Sequence, residues 1–257
     1  MTGFADHFSG LAARYAAYRP HYPPRLVDLL ADRCERAEVA WDVGCGSGQL
    51  SVALARRFAH VIATDPAQAQ LDQAEPAPRV EYRCSPAEAS GLPDASVDLA
   101  VAAQSAHWFD WPRFVAEVGR VARPGALVAL VTYRNSEVPG DAGALLAAYY
   151  REIDAHWPNG RVHVNNHYRD LVLPWPAVDE RSEEMGGGEH APPLEMTASW
   201  TRDELFGYVT TWSATARFVA AGGADRLEEL RRQLAAIWPD GERREVRWPL
   251  TIKLARR

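Results

Sequence analysis

The stretch 39–49, VAWDVGCGSGQ, holds the residues whose types and spacing best suit chemistry. Gly44, Gly46 and Gly48 alternate after an apolar run. Missing side chains let a backbone approach a ligand closely and take positive φ. A helix beginning just beyond them would add free amides and a positive dipole. Asp42 precedes the first glycine, where a carboxylate suits a charged amino group. Asp65 closes the next apolar run, where a carboxylate can accept from both hydroxyls of a ribose. The dinucleotide fingerprint is G-x-G-x-x-G; here the third glycine comes one position early and Gln49 follows. A nicotinamide oxidoreductase is therefore the weaker reading of this loop.

Other candidates lie downstream. His107, in the run QSAHWF, is the best-placed base for an acceptor that must lose a proton; its alternative role is to anchor a loop. Trp108 and Phe109 suit a core as well as a pocket wall. His163, Asn166, His167 and Tyr168 occupy a loop-like stretch and suit recognition of a polar acceptor beneath a lid. His163 and His167 share i, i+4 spacing but lack the glutamate of HExxH, so no metal site is expected. The three cysteines, Cys34, Cys45 and Cys84, form no CxxC pair, which argues against a disulfide framework or a thiolate zinc site. Cys45 reads as a small apolar filler, and Asp98 as a residue that orders the start of a strand.

Positioning these groups requires a regular scaffold. Val39–Val43, Val61–Thr64, Arg79–Cys84, Val97–Ala102 and Ala126–Thr132 read as strands, with helical spacing before and between them. Helices are expected near residues 8–18, from Pro24, from Leu50 and around Phe114–Val121; Arg123-Pro124-Gly125 reads as a turn. This β-α-β alternation implies parallel strands with helices on both faces. The rhythm breaks after Tyr133. One helix is expected over about 141–156, followed by loop-like sequence that includes Gly186-Gly187-Gly188. A strand ends at Trp200, and Thr201–Glu204 forms a capping box opening a helix through Ala216. A helix through Ile237 and a strand over Leu250–Leu254 follow, with Pro249 at that strand's start. The two late strands suit antiparallel pairing at the sheet edge.

Composition bounds the classes. The 257 residues carry 28 Lys+Arg and 34 Asp+Glu, a net charge of −6, which argues against a chain-wide phosphate-backbone footprint. At 257 residues the chain buries enough surface to need no disulfide staples, and its 47% hydrophobic content is ordinary for a globular protein. It has no apolar run of membrane-span length and no signal-peptide stretch at its amino end, so a cytoplasmic protein is expected. Nine tryptophans stand out; composition does not say whether they fill a core or line a pocket.

Here the motifs carry a resemblance. WDVGCGSGQ, the strand ending in Asp65, AEASGLPDASVDLAVAAQSAHWF (87–109) and RVARPGALVAL (120–130) resemble class I S-adenosylmethionine-dependent methyltransferases across residues 8–133. FSGLAARYAAYRPHYP and AHWFDWPRF resemble the type-11 kind, near its trans-aconitate methyltransferase-like branch. The resemblance implies a Rossmann-like α/β fold: a mostly parallel seven-stranded sheet with helices on both faces, an antiparallel edge strand and an inserted cap. It implies amino-terminal lid helices (1–38), a cofactor-binding core (39–133), an acceptor-recognition insertion (134–192) and the remaining strands and helices (193–257). Asp42, Gly44, Cys45, Gly46 and Gly48 would hold the methionine part of S-adenosylmethionine, and Asp65 with Pro66 the ribose. Ala87 and Glu88 would lie at adenine, although Pro86 stands where relatives often have Asp. Gln104 would lie beneath the sulfonium, and Tyr15 and Arg19 would cover the amino-acid end. His107, Trp108 and Tyr133 join the four insertion residues as the acceptor side. The implied product is S-adenosylhomocysteine, and the implied partner a small-molecule methyl acceptor for a monomer or weak dimer.

A non-enzymatic alternative, a protein that senses S-adenosylmethionine without turnover, fits the same glycine and carboxylate set. Nucleic acid methylation is disfavoured because QSAHW stands where an (Asp/Asn)-Pro-Pro-aromatic turn would be needed. If a carboxylate is the acceptor no base is needed, and Arg134, Arg161 and Arg169 are candidate cations for it.

Overall fold

The computed structural model describes residues 18–178 and 194–257. Tyr15, most of the first expected helix and the triple glycine 186–188 lie outside them. The elements run α1 (Pro24–Asp32), β1 (Val39–Val43), α2 (Gln49–Leu54), β2 (His60–Asp65), α3 (Gln68–Leu71), β3 (Val80–Cys84), β4 (Val97–Ala103), α4 (Trp111–Val121), β5 (Ala122–Tyr133), α5 (Asp141–Glu152), α6 (Arg161–Asn165), β6 (Glu195–Trp200), α7 (Arg202–Thr210), α8 (Ser213–Phe218), α9 (Ala224–Ile237) and β7 (Arg244–Arg256). The seven strands lie in the order β3-β2-β1-β4-β5-β7-β6. β1 to β5 pair in parallel, and β7 runs antiparallel to β5 from Leu250↔Tyr133 to Arg256↔Leu127. The parallel strands are those the alternation implied, and the seven-stranded Rossmann-like sheet with its antiparallel strand is the one the resemblance implied.

Strand periodicity divides the core between two faces. In β4, Leu99 and Val101 join Leu26 and Leu30 of α1 and Leu50 and Leu54 of α2. Ala100 and Ala102 point the other way, toward Phe114, Val118 and Val121 of α4. Each of the larger side chains contributes about 1.5–3 kcal/mol by burial.

Asp98, at the start of β4, is 5% exposed. Its carboxylate accepts from the amides of Glu38 and Val39 at 3.2 and 2.9 Å and from Arg123 Nη1 at 2.5 Å. It thereby ties the entry of β1 to the beginning of β5. Asp98→Ala is expected to lower unfolding free energy by about 3 kcal/mol, because it orphans two amides and a guanidinium. Urea unfolding checks this, and a loss below about 0.5 kcal/mol would contradict it.

Four boundaries differ from expectation. β5 begins at Ala122, because a register shift between Val97 and Leu99 of β4 absorbs the Arg123–Gly125 turn. The expected 141–156 helix is α5 followed by a 3₁₀ turn, Asp154–His156. The helix after the capping box divides into α7 and α8, while the box itself forms: Glu204 N donates to Thr201 Oγ1 and Thr201 N to Glu204 Oε2. Pro249 lies inside β7 rather than at its start, just before Leu250 makes the terminal pair with β5, where a missing donor is tolerated.

The chain divides into two compact units. Of the described residues, the larger comprises 21–134, 162–178, 194–196 and 249–257 and contains β1 to β5. Of the described residues, the smaller comprises 18–20, 135–161 and 197–248. Its interior answers the question of the tryptophans. Trp200, Tyr208 and Trp248 pack edge to face or tilted at 4.9–5.5 Å between ring centroids, and Trp212 continues the stack to Trp157 and Tyr150. Of these rings Tyr208, Trp212 and Trp248 are buried and Trp157, Tyr150 and Trp200 half-buried, so this unit's tryptophans serve packing at least in part.

Candidate functional site

At the carboxyl end of β1 the chain turns through Gly44, Gly46 and Gly48 at φ of 68°, 56° and 80°. The amides of Gly44 and Cys45 both donate to Thr64 O, at 2.8 and 3.0 Å, which ties the turn to the end of β2. Ser105 Oγ donates to Val43 O at 2.6 Å from the other side. Two carboxylates then converge on the turn. Asp42, 1% exposed, accepts from Ser51 Oγ at 2.6 Å. Asp65 accepts from Gly46 N through Oδ2 and from Ala67 N through Oδ1, both at 2.9 Å. Because α2 has only six residues, the turn's amides and carboxylates define the site more than a helix dipole does.

Burial pushes the Asp42 carboxyl up to about 7; the nearby Asp65 charge adds to this, and the Ser51 hydrogen bond opposes it. Burial also raises Asp65, against the amides of Ala67 and Gly46. The Cys45 thiol is driven well up by burial and both carboxylates, so it stays neutral, as suits a filler. Among the described residues no basic side chain pairs with Asp42 or Asp65, in contrast to Asp98 with Arg123. A site with two buried, uncompensated acids favours a ligand that brings a cation and hydroxyl donors.

The surrounding residues fall into two kinds. Pro66 follows Asp65 directly, and its carbonyl accepts from Cys84 Sγ. Glu88 Oε1 accepts from Asp110 N at 2.7 Å, joining the segments after β3 and β4. Ala87 is buried within the core, so its methyl group serves packing. Gln104 sits at φ 56°, and its amide is committed to β5: Nε2 donates to Tyr133 O, while Oε1 accepts from Thr132 Oγ1 and Tyr133 N. Its side chain therefore clasps two strands, leaving the backbone as the part of Gln104 suited to a ligand.

Several acceptor-side candidates meet in the larger unit. His107 Nδ1 lies 2.7 Å from Tyr168 Oη, with the Trp108 ring 4.9 Å from the imidazole. Tyr168 is 1% exposed. His167 Nδ1 lies 2.8 Å from Thr251 Oγ1, and Arg134 Nη1 lies 3.4 Å from His167 Nε2. His167 and Tyr168 both have φ of 57°, a left-handed pair that sends one ring to Thr251 and the next to His107. His163 is set apart, on α6 where loop was expected, and pairs with Asp170 at 2.6 Å; Asn166 is exposed. Among the described residues no three potential ligands gather as for a metal ion. In the smaller unit, Arg19 stacks over Tyr208 at 5.3 Å, and Arg161 lies over Trp157 at 4.4 Å while donating to Asn135 and Tyr150.

A family model described as a methyltransferase domain matches residues 41–130, which span the glycine turn, Asp65 and β4 to β5. A candidate methyltransferase of Dictyostelium discoideum is 31% identical over 265 residues, covering 100% of this chain and 97% of that protein. The chain belongs to the class I S-adenosylmethionine-dependent methyltransferases. The solved structure of a candidate Type II methyltransferase from Anaeromyxobacter dehalogenans is 44% identical, with a TM-score of 0.81, over 93% of this methyltransferase and 98% of that chain. The malonyl-[acyl-carrier protein] O-methyltransferase of Salmonella typhimurium is 28% identical over 97% of this chain and 93% of its own length.

Sequence reasoning passed over two residues that hold the glycine turn, Ser51 and Ser105, and the buried Gln70 on α3. Ser51 was within reach as a small hydroxyl one helical turn beyond the glycines. Ser105 meets Val43 across 62 positions, a pairing with no local signal. Gln70 is a polar residue on the buried side of α3, beside Leu71. Among the described residues no helix is long and apolar enough to cross a membrane.

Proposed function

We infer that this methyltransferase moves the methyl group of S-adenosylmethionine to a small organic acceptor by in-line displacement. The observation that carries this reading is the pair of buried acids, Asp42 and Asp65, at a glycine turn, with no basic partner among the described residues. They fit a ligand with an ammonium group and a ribose. When bound, the cofactor supplies a methyl carbon activated by positive sulfur. Asp42 answers the ammonium, Asp65 accepts from the ribose hydroxyls, and the glycine turn admits the ligand's backbone-close approach. The ends of β4 and β5, clasped by Gln104, set the direction from which an acceptor approaches; such alignment supplies about 7–11 kcal/mol in well-oriented reactions. In the larger unit, acceptor recognition draws on Arg134, His167 and Tyr168. His107, held by Tyr168, is the base for an acceptor that carries a proton to lose.

The relative named as an O-methyltransferase supports starting with carboxylate acceptors, as does the resemblance to the trans-aconitate-like branch. Such an acceptor requires no base, so His107→Ala would leave turnover nearly intact, whereas a loss above about 100-fold with unchanged cofactor affinity assigns proton removal to His107.

The experiment is calorimetric titration with S-adenosylhomocysteine across pH. With Asp42 titrating near 7 in the free protein, about one-tenth is ionised at pH 6. Bound ammonium favours the ionised form, so binding releases a proton and affinity rises with pH, levelling above about 8. Affinity about tenfold weaker at pH 6 than at pH 8 is expected. No binding at either pH would reject the reading. Detection of S-adenosylhomocysteine from S-adenosylmethionine and an acceptor separates an enzyme from a sensor.

A further inference from the structure

His107 and Tyr168 meet only because the chain accepts an unfavourable turn. Tyr168 lies just past α6, and both it and His167 take φ of 57°. A helix end in this left-handed conformation ordinarily falls to glycine or asparagine. The turn is held from β7 and from α6: Lys253 Nζ donates to Tyr168 O at 3.3 Å and to Leu171 O at 2.8 Å, and Tyr168 N donates to His163 O at 2.8 Å. Glycine at 168 would relieve the backbone and lose the phenol. Strain held in place on both sides points to a use for the side chain it delivers.

That side chain acts on one nitrogen of His107. Tyr168 Oη lies 2.7 Å from Nδ1; the phenol is 1% exposed, whereas the imidazole is half-buried. Either group can donate, and the tautomer decides which does. A phenol is the better donor and a bare imidazole nitrogen the better acceptor, so the favoured pairing runs from Tyr168 to Nδ1. A neutral imidazole that accepts at Nδ1 carries its hydrogen on Nε2. Its one lone pair is then already used, and what the ring has to offer is a donor.

We propose that Tyr168 is a positioning residue that holds His107 as the Nε2–H tautomer, so that His107 donates a hydrogen bond to an anionic oxygen of the methyl acceptor instead of removing a proton from it. This rests on the S-adenosylmethionine reading above and selects between its two kinds of acceptor, a small carboxylate over a hydroxyl compound. A carboxylate oxygen forms the new bond to the methyl carbon, and sulfur keeps the electron pair of the broken C–S bond. The products are an ester and neutral S-adenosylhomocysteine, with no proton to place. Because the oxygen loses its charge during transfer, the hydrogen bond serves acceptor binding and not the chemical step.

The test follows histidine ring nitrogens by ¹⁵N NMR in the complex with S-adenosylhomocysteine, at about pH 8. The signals of His107 are those missing from His107→Gln. The expected result is hydrogen on Nε2, with an Nδ1 resonance that moves in Tyr168→Phe while affinity for S-adenosylhomocysteine does not change. Hydrogen on Nδ1 in the unaltered protein overturns the proposal, as does an Nδ1 resonance indifferent to Tyr168→Phe. Turnover is then compared for benzoate and succinate against benzyl alcohol and butanediol. With an acid, His107→Ala is expected to raise KM about tenfold or more at little change in kcat, and His107→Gln, which can donate but not take up a proton, to recover most of that loss. A fall in kcat above about 100-fold in both variants restores the base role and overturns the proposal. Turnover of the alcohols and not the acids overturns the choice of acceptor. Failure of the unaltered protein to bind S-adenosylhomocysteine would instead reject the cofactor reading, a result distinct from any change at His107.

Discussion

Replacing Asp65 with alanine is expected to weaken S-adenosylhomocysteine binding by at least about 100-fold. Hydrogen bonds to a charged group contribute about 1.5–3 kcal/mol each, and a ribose offers two hydroxyls to one carboxylate. The side chain also organises the site before any ligand arrives, because its two oxygens hold the amides of Gly46 and Ala67. Part of the loss will therefore be a looser glycine turn. Asp65→Asn separates the contributions: it retains one acceptor oxygen but sets an NH₂ against one of the two amides. Its affinity is expected to fall nearly as far as that of the alanine variant. Calorimetry on protein shown to be folded by circular dichroism checks both. A change below about threefold in Asp65→Ala would remove the ribose role from this residue.

Gly44→Ala is expected to cost about 2–4 kcal/mol of stability and to abolish cofactor binding. Two effects add. The residue sits at φ 68°, where a side chain costs about 1 kcal/mol. The new methyl would also lie 2.6 Å from Ser105 Cβ and 3.0 Å from its Oγ, whose hydrogen bond to Val43 O fixes the segment after β4. Overpacking of that kind costs about 1–3 kcal/mol. Gly91→Ala is the matched control: its φ is 70°, but a Cβ there meets nothing within 4 Å. Only the backbone cost should appear in Gly91→Ala, and the difference between the two urea midpoints measures the close approach. Equal losses in both would mean that crowding by Ser105 contributes nothing.

These predictions concern the part of the protein that was most legible in its sequence, for a physical reason. The glycine turn, Asp42 and Asp65 act through local chain geometry, at the ends of strands whose apolar runs are themselves local signals. The capping box at Thr201–Glu204 was readable on the same ground. Roles decided by partners far along the chain were not. Gln104 looked like a ligand residue at a strand end, yet its amide is taken by Thr132 and Tyr133 on the neighbouring strand. Ala87, expected at adenine, has its methyl group in the core. His107 and Tyr168 were each singled out, but their contact across 61 positions depends on the left-handed turn at His167–Tyr168, which no glycine announces. Helix α6 escaped because five residues with a single buried side chain, Val164, carry too little periodicity to register.

The strand order has a consequence for how the chain assembles. β7 lies between β5 and β6 in the sheet but follows both in the chain. While the polypeptide emerges from the ribosome, β5 can complete its parallel pairing with β4 yet must wait for more than a hundred residues before its outer edge is covered. β6 likewise waits for β7, its neighbour in the sheet. A long-lived open edge is a template for pairing with other chains, and such non-local closure slows folding. The nascent protein thus passes through a stage in which a largely buried strand is also an adhesive one, and yield on expression should depend on chaperone supply and growth temperature more than the finished fold's stability would suggest.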